Sequence, residues 1–281
     1  MLYHARRFPL SGWIGAIIIV LLLSTAILSF FWTPADPVHA EPSQRLLTSS
    51  TEHWMGTDRF GRDVFSRVLV GARMSIFVGL IAVGISFLLG TPLGMWAGMK
   101  GGFIESLIMR GADLLLAFPA LLMAIIATAI AGPSTTSTMT AIGIAGIPSF
   151  ARVARSGTLQ VMTQDYILAA RQARRPSLEI AYQHVFPNIL GLVMVQISVA
   201  FSLAILAEAA LSFLGLGTPP PDPSWGRMLH DAQASMGSSP HLVFWPGLAI
   251  ALSVCGFSLL GDGLRDLFDP RARRIRRSIQ S

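Results

Sequence analysis

The chain has 281 residues, 52% of them hydrophobic and only 13% charged, with a net charge of +6. A soluble domain carries about 25% charged residues. The shortfall lies in long blocks almost free of charge, which exclude a soluble core and define a polytopic membrane protein. The one cysteine, Cys255, excludes an intrachain disulfide and a Cys-rich metal site, and basic residues flanking the apolar blocks fit membrane topology better than nucleic acid.

In chain order, a basic tail (1–11, with Arg6 and Arg7) precedes an apolar run predicted to be the first transmembrane helix, 12–32. Val38-His39-Ala40 resembles a cleavage site. A secretory signal has an apolar region of only about 7–15 residues, and the run at 14–32 is longer, so it reads as a retained helix. A loop follows at 33–73. Near its end Phe60, Val64, Phe65, Val68 and Leu69 share one helical face while Arg62, Asp63, Ser66 and Arg67 lie elsewhere. That pattern predicts an amphipathic helix along the membrane surface.

A core at 74–264 holds five further candidate spans, near 74–98, 112–132, 137–152, 189–214 and 244–264; the third of these is short and polar at its start. Gly90, Gly94 and Gly98 recur one turn apart and admit close approach of another helix, within this chain or from a second subunit. Pro92, Pro119 and Pro148 are expected to bend their spans. Six spans with the N-terminus inside place fifteen basic residues on inner segments, including the tail at 265–281 with "RARRIRR" (271–277), and six on outer ones. That asymmetry sets the orientation. The tail itself reads as an anchor to anionic lipid.

The inner segment 164–188 is the longest hydrophilic stretch on its side. "DYILAARQA" (165–173) predicts a short helix capped by Asp165. Arg175-Pro176 breaks it. Ser177 caps a second helix, "LEIAYQH" (178–184), with Glu179 in its first turn and Pro187 at its end. Ile167, Leu168, Leu178, Ile180 and Tyr182 are apolar residues on a basic element. They suit either docking into a partner's groove or packing on the chain's own bundle. The proline-rich loop "GLGTPPPDPSWG" (215–226) is a stiff extended segment that shapes an outer mouth or serves as a linker.

The sequence has no GxxxxGK[ST] loop for ATP, no HExxH and no cysteine cluster; its six histidines are scattered. No catalytic, cofactor or metal residue is assigned. Glu208 is the one acid well inside a predicted span, a candidate for a pathway wall or a hydrogen-bonded structural group. A proton- or ion-driven carrier needs several such groups. If this chain moves solute uphill, the energy enters from another chain, and 164–188 is the port.

Five stretches carry a resemblance: "HWMGTDRFGRDVFSRVLVGARMS" (53–75), "LIMRGADLLLAFPALLMAI" (107–125), "DYILAARQA" with "HVFPN" (165–188), "ILAEAALSFLGLGTPPPDPSWG" (205–226) and "FWPGLAIALSVCGFSLLGDGLRDLFDP" (244–270). Over nearly its whole length the chain resembles the second permease subunit of bacterial ABC importers for dipeptides, oligopeptides and nickel. The resemblance implies an all-α polytopic protein of the type I importer permease fold, with six transmembrane helices and a cytoplasmic coupling helix pair. It implies a homologous permease as partner, two ATP-binding cassette subunits that bind ATP and Mg, and an extracytoplasmic substrate-binding protein. The coupling residues it implies are Tyr166, Leu168, Ala169, Ala170, Arg171, Arg174, Pro176, His184, Pro187 and Asn188. Two depart from the family's pattern: Leu168 stands where its signature has Glu, and Arg174 where it has the turn's Gly. The expectation is a reshaped turn, broken one residue later by Pro176, with docking retained. The alternatives from other classes are an ion-coupled secondary transporter and a membrane-bound enzyme.

Overall fold

The protein is described from a computed structural model covering residues 8–132 and 134–268; Arg6, Arg7 and the tail at 271–277 lie outside the described residues. Among the described residues regular structure is helical, apart from one isolated antiparallel bridge between Thr57 and Asp63. The long helices are α1 (Leu10–Phe31), α2 (Val64–Lys100), α3 (Gly102–Leu116), α4 (Ala120–Ala131) and α5 (Thr135–Met162). Then come the short α6 (Asp165–Gln172) and α7 (Ser177–Ile180), and a π-helical turn, Ala181–Val185, that leads into α8 (Phe186–Phe213). The short α9 (Trp225–Ala232) and α10 (His241–Phe268) complete the chain.

Close approach between small residues fixes the bundle. A methyl group at Gly90 would sit 2.5 Å from the Ile147 carbonyl, one at Gly94 would strike the Ala151 carbonyl, and one at Gly98 would sit 2.8 Å from Thr158 Cβ. Both helices advance together along this seam, so α2 and α5 are parallel, and the glycine stripe serves packing within the chain. We expect Gly94→Leu to abolish the monodisperse solubilised protein, since overpacking costs about 1–3 kcal/mol even where side chains can shift, and here the obstacle is the Ala151 backbone. Gly84→Ala on the same helix has open space and should leave the chromatographic profile unchanged.

Parallel packing of α2 and α5 requires the chain between them to return from one end of the bundle to the other, which α3 and α4 do. The span expected at 112–132 is bent at Pro119, as anticipated, but so sharply that it forms two helices at 80° to each other. Pro119, with no N–H to donate, stands as the N-cap of α4, and its ring pushes Phe118 off helical geometry. Pro92 and Pro148 remain inside continuous helices. The weak span at 137–152 extends to 28 residues in α5; its Thr, Ser and Gly content follows from its central position, with Gly143, Ala154, Gly157 and Thr158 buried. Four helices are long and apolar enough to cross a membrane, or five with α3 and α4 as one broken span.

The predicted surface helix before the second span is not a separate element. Asp58–Gly61 form a turn, Asp63 accepts from the Ser66 N–H (2.7 Å) as N-cap, and α2 then runs unbroken to Lys100. Arg62, Asp63, Ser66 and Arg67 are buried because polar groups of the same chain meet them. Arg67 Nη1 donates to the Pro37 carbonyl (2.9 Å), and Ser66 Oγ accepts from the Ala35 N–H (3.1 Å).

Candidate functional site

The segment 164–188 forms the expected helix–turn–helix, with different caps. Gln164, not Asp165, is the N-cap of α6, and Asp165 sits in the first turn, where the dipole favours its charge. Pro176, not Ser177, precedes α7. Pro187 does not end a helix: it is the second residue of α8, directly after the π-helical turn, inside a run that stays helical from Ser177 to Phe213. The second short helix, α7, is therefore an extension of α8, joined to it by the π-helical turn.

The turn between the helices is not reshaped. Arg174 itself takes the left-handed conformation, φ 53°. Its N–H reaches the Arg171 carbonyl (2.9 Å), and the Arg175 N–H reaches the Ala170 carbonyl (3.2 Å). This is the Schellman closure that usually employs glycine. Pro176 does not move the break, because both carbonyls are satisfied before it. A non-glycine residue here costs about 1 kcal/mol. Arg174→Gly is expected to raise the thermal midpoint of the solubilised protein by a few degrees, with ATP-driven uptake close to that of the parent.

Burial separates neighbouring residues of this element. Ile167 is fully buried, Ala170 is 7% exposed, and Ile180 and Val185 are also in the core. They anchor the element to its own bundle. Tyr166, Leu168 and Ala169 are exposed, as are Arg171, Arg174, Pro176, Pro187 and Asn188. The Tyr166 and His184 rings lie 6.1 Å apart, which brings the start of α6 against the root of α8; the His184 carbonyl accepts from Asn188 Nδ2 one turn later (2.7 Å). Arg175 pairs with Glu179 (2.7 Å) and donates to Gln183 (3.0 Å) across the turn. Of the five apolar residues, Ile167 and Ile180 pack on the chain's own bundle, and Leu168, Leu178 and Tyr182 face outward.

Glu208 lies at the other end of α8. It is 1% exposed, and its Oε1 accepts from Ser212 Oγ (2.6 Å) and Thr218 Oγ1 (3.4 Å). It fastens the loop after α8 to the helix end and presents no open surface. Beside it α9, absent from the expectations, starts at Ser224, whose hydroxyl accepts from the Arg227 N–H (3.2 Å). The serine cap after a proline was its sequence signal. Buried Trp225 donates to the Val68 carbonyl (3.0 Å) and occupies the space left by Gly71.

Sequence reasoning also missed a buried charge network. Arg62 binds Asp58 (2.7 Å) and Asp231 (3.0 Å); Arg59 and Arg227 each approach Asp231 at 3.4 Å; Arg67 lies 3.8 Å from Asp58. It joins the loop before α2 to α9.

A bundle of membrane-length helices with an anchored, outward-facing helix–turn–helix at one end has the build of a multi-pass transport subunit. Residues 90–274 match the family described as binding-protein-dependent transport system inner membrane component. The chain is 43% identical over 92% of its length, and 86% of the relative's, to the dipeptide transport system permease protein DppC of Alkalihalophilus pseudofirmus. It is 39% identical, with the same coverage, to the glutathione transport system permease protein GsiD of Pectobacterium atrosepticum. Its fold resembles a chain from inward-facing structures of the MetNI methionine ABC transporter, with TM-score 0.60 and 14% identity over 71% of this chain and 95% of that one. The chain belongs to the binding-protein-dependent family: it is a multi-pass inner-membrane permease subunit of an ABC importer.

Proposed function

We propose that this permease admits short peptides, dipeptides or oligopeptides, or a related small cargo such as nickel, and forms half of a pathway completed by a homologous permease. An extracytoplasmic binding protein delivers the cargo, and two ATP-binding cassette subunits supply the force. The chain crosses the membrane six times, with α3 and α4 as one broken crossing and both termini cytoplasmic. The fifteen-to-six distribution of basic residues supports this orientation.

One observation carries the mechanical part: Ala169 and Ala170 are adjacent, yet Ala169 is exposed and Ala170 buried. One face of α6 is anchored in the core by Ile167 and Ala170, so a push on its other face at Tyr166, Leu168 and Ala169 is passed to the bundle. A floppy loop would absorb the same force. ATP and Mg are held by the partner subunits, and this chain receives their closure as displacement at 164–188.

The test is reconstitution. Vesicles holding the two permeases and both ATPases should accumulate a labelled dipeptide only with binding protein and ATP. Accumulation by this chain alone, driven by an ion gradient, would establish the secondary-transporter alternative.

A further inference from the structure

A cavity of about 660 Å³ opens beside the coupling element, within the range of ligand pockets. One wall is the inner half of α2, with Phe87, Leu88, Met95 and Trp96; the other is formed by Leu178 and Tyr182. Leu178 is 82% exposed and Tyr182 is also open. Lys100, Arg171 and Arg175 line the cavity too. Arg175 is neutralised by Glu179. Lys100 and Arg171 have no carboxylate within ion-pair distance among the described residues, and both are exposed.

Two uncompensated cations beside an apolar slot complement an amphiphile with an anionic head. From Phe87 to Lys100 the helix rises about 20 Å at 1.5 Å per residue. One leaflet contributes about 15 Å of hydrocarbon. Trp96 and Tyr182 are the residue types that settle at headgroup depth. Basic pockets between helices on the cytoplasmic side hold anionic lipid headgroups. We propose that this cavity binds one anionic phospholipid of the inner leaflet, its phosphate between Lys100 and Arg171 and its acyl chains along α2. The inference rests on the orientation proposed above, which puts Lys100 at the inner face. It assigns Leu178 and Tyr182 to lipid, and leaves Tyr166, Leu168 and Ala169 to the ATPase.

The assembled importer, purified in detergent with equal amounts of phosphatidylglycerol and phosphatidylcholine, should retain phosphatidylglycerol in native mass spectrometry. Lys100→Gln with Arg171→Gln should lower that preference about thirtyfold, which is about 2 kcal/mol at 1.4 kcal/mol per tenfold. Met95→Trp, which fills the slot without touching charge, should lose the lipid as well. A photo-reactive benzoylphenylalanine at Leu178 should label phosphatidylglycerol. Equal retention of the two lipids, or unchanged retention in both variants, overturns the inference. So does labelling of the second permease at Leu178, which would make this face a subunit interface. Lipid retention is read by mass without transport, so its failure with ATP-driven uptake intact sinks this inference alone.

Discussion

Asp231→Ala is expected to leave the protein unable to hold the loop before α2, with a loss of about 3–5 kcal/mol, the range for removing one partner of a buried ion pair. Asp231 is 6% exposed and faces three guanidinium groups, from Arg59, Arg62 and Arg227. With Arg67, four arginines share only two carboxylates, Asp58 and Asp231. The network already carries excess positive charge, and the substitution adds one more unpaired charge to it. Arg62 keeps Asp58, so its own loss is partial; Arg59 and Arg227 have no other carboxylate within ion-pair distance among the described residues. Asp231→Asn keeps the shape and two acceptor lone pairs, and should lie between parent and Ala variant. The check is the thermal midpoint of the solubilised protein, with limited proteolysis of the stretch at 33–63 as the local readout. Cleavage there should appear in the Ala variant before the bundle unfolds. Equal midpoints for all three proteins would show that the network is not needed to hold the loop.

How much of this was legible beforehand depends on the range of the interaction. Apolar runs gave α1, α8 and α10 within a few residues, because a membrane span is written in consecutive residues. The glycine stripe of α2 announced a close helix neighbour but not which one, since GxxxG encodes distance and no partner; only the Ala151 backbone names it. The surface helix at 60–73 was misread because periodicity sorts apolar from polar, and cannot show that Asp58 and Asp231 would cover the polar face. The pair Arg62 and Asp231 is 169 positions apart, beyond any local pattern. Arg174 was misjudged for a different reason. Its cost in the left-handed region is about 1 kcal/mol, small beside the two backbone hydrogen bonds and the packing of Ile167 and Ile180 that hold the turn. Local propensity gave way to tertiary structure. The helix–turn–helix at 164–188 was legible from its helix formers and the Arg175-Pro176 break, although its caps were not; the division between its anchoring and outward residues was not, because a two-turn helix with apolar residues on several faces does not say which face is home.

That division makes Ala169→Glu the variant with the largest functional effect. In the isolated chain the new side chain enters solvent, since Ala169 is exposed, and no core contact is lost. Alanine to glutamate in a helix costs only a few tenths of a kcal/mol. Insertion, chromatographic profile and thermal midpoint should therefore match the parent. With α6 docked on the ATPases as proposed, the same carboxylate would enter a desolvated contact, where an unpaired charge costs several kcal/mol; at 1.4 kcal/mol per tenfold, that is a loss of a hundredfold or more in docking. ATP-driven uptake should fall to background, and the ATPases should no longer co-purify with the permease. Ala170→Glu gives the contrast. Its Cβ points into the bundle beside Ile167, so it should fail earlier, by lowering the yield of folded protein. Normal uptake by Ala169→Glu would remove α6 as the point where force enters. A folding defect in Ala169→Glu equal to that of Ala170→Glu would mean that both alanines serve only the chain's own packing.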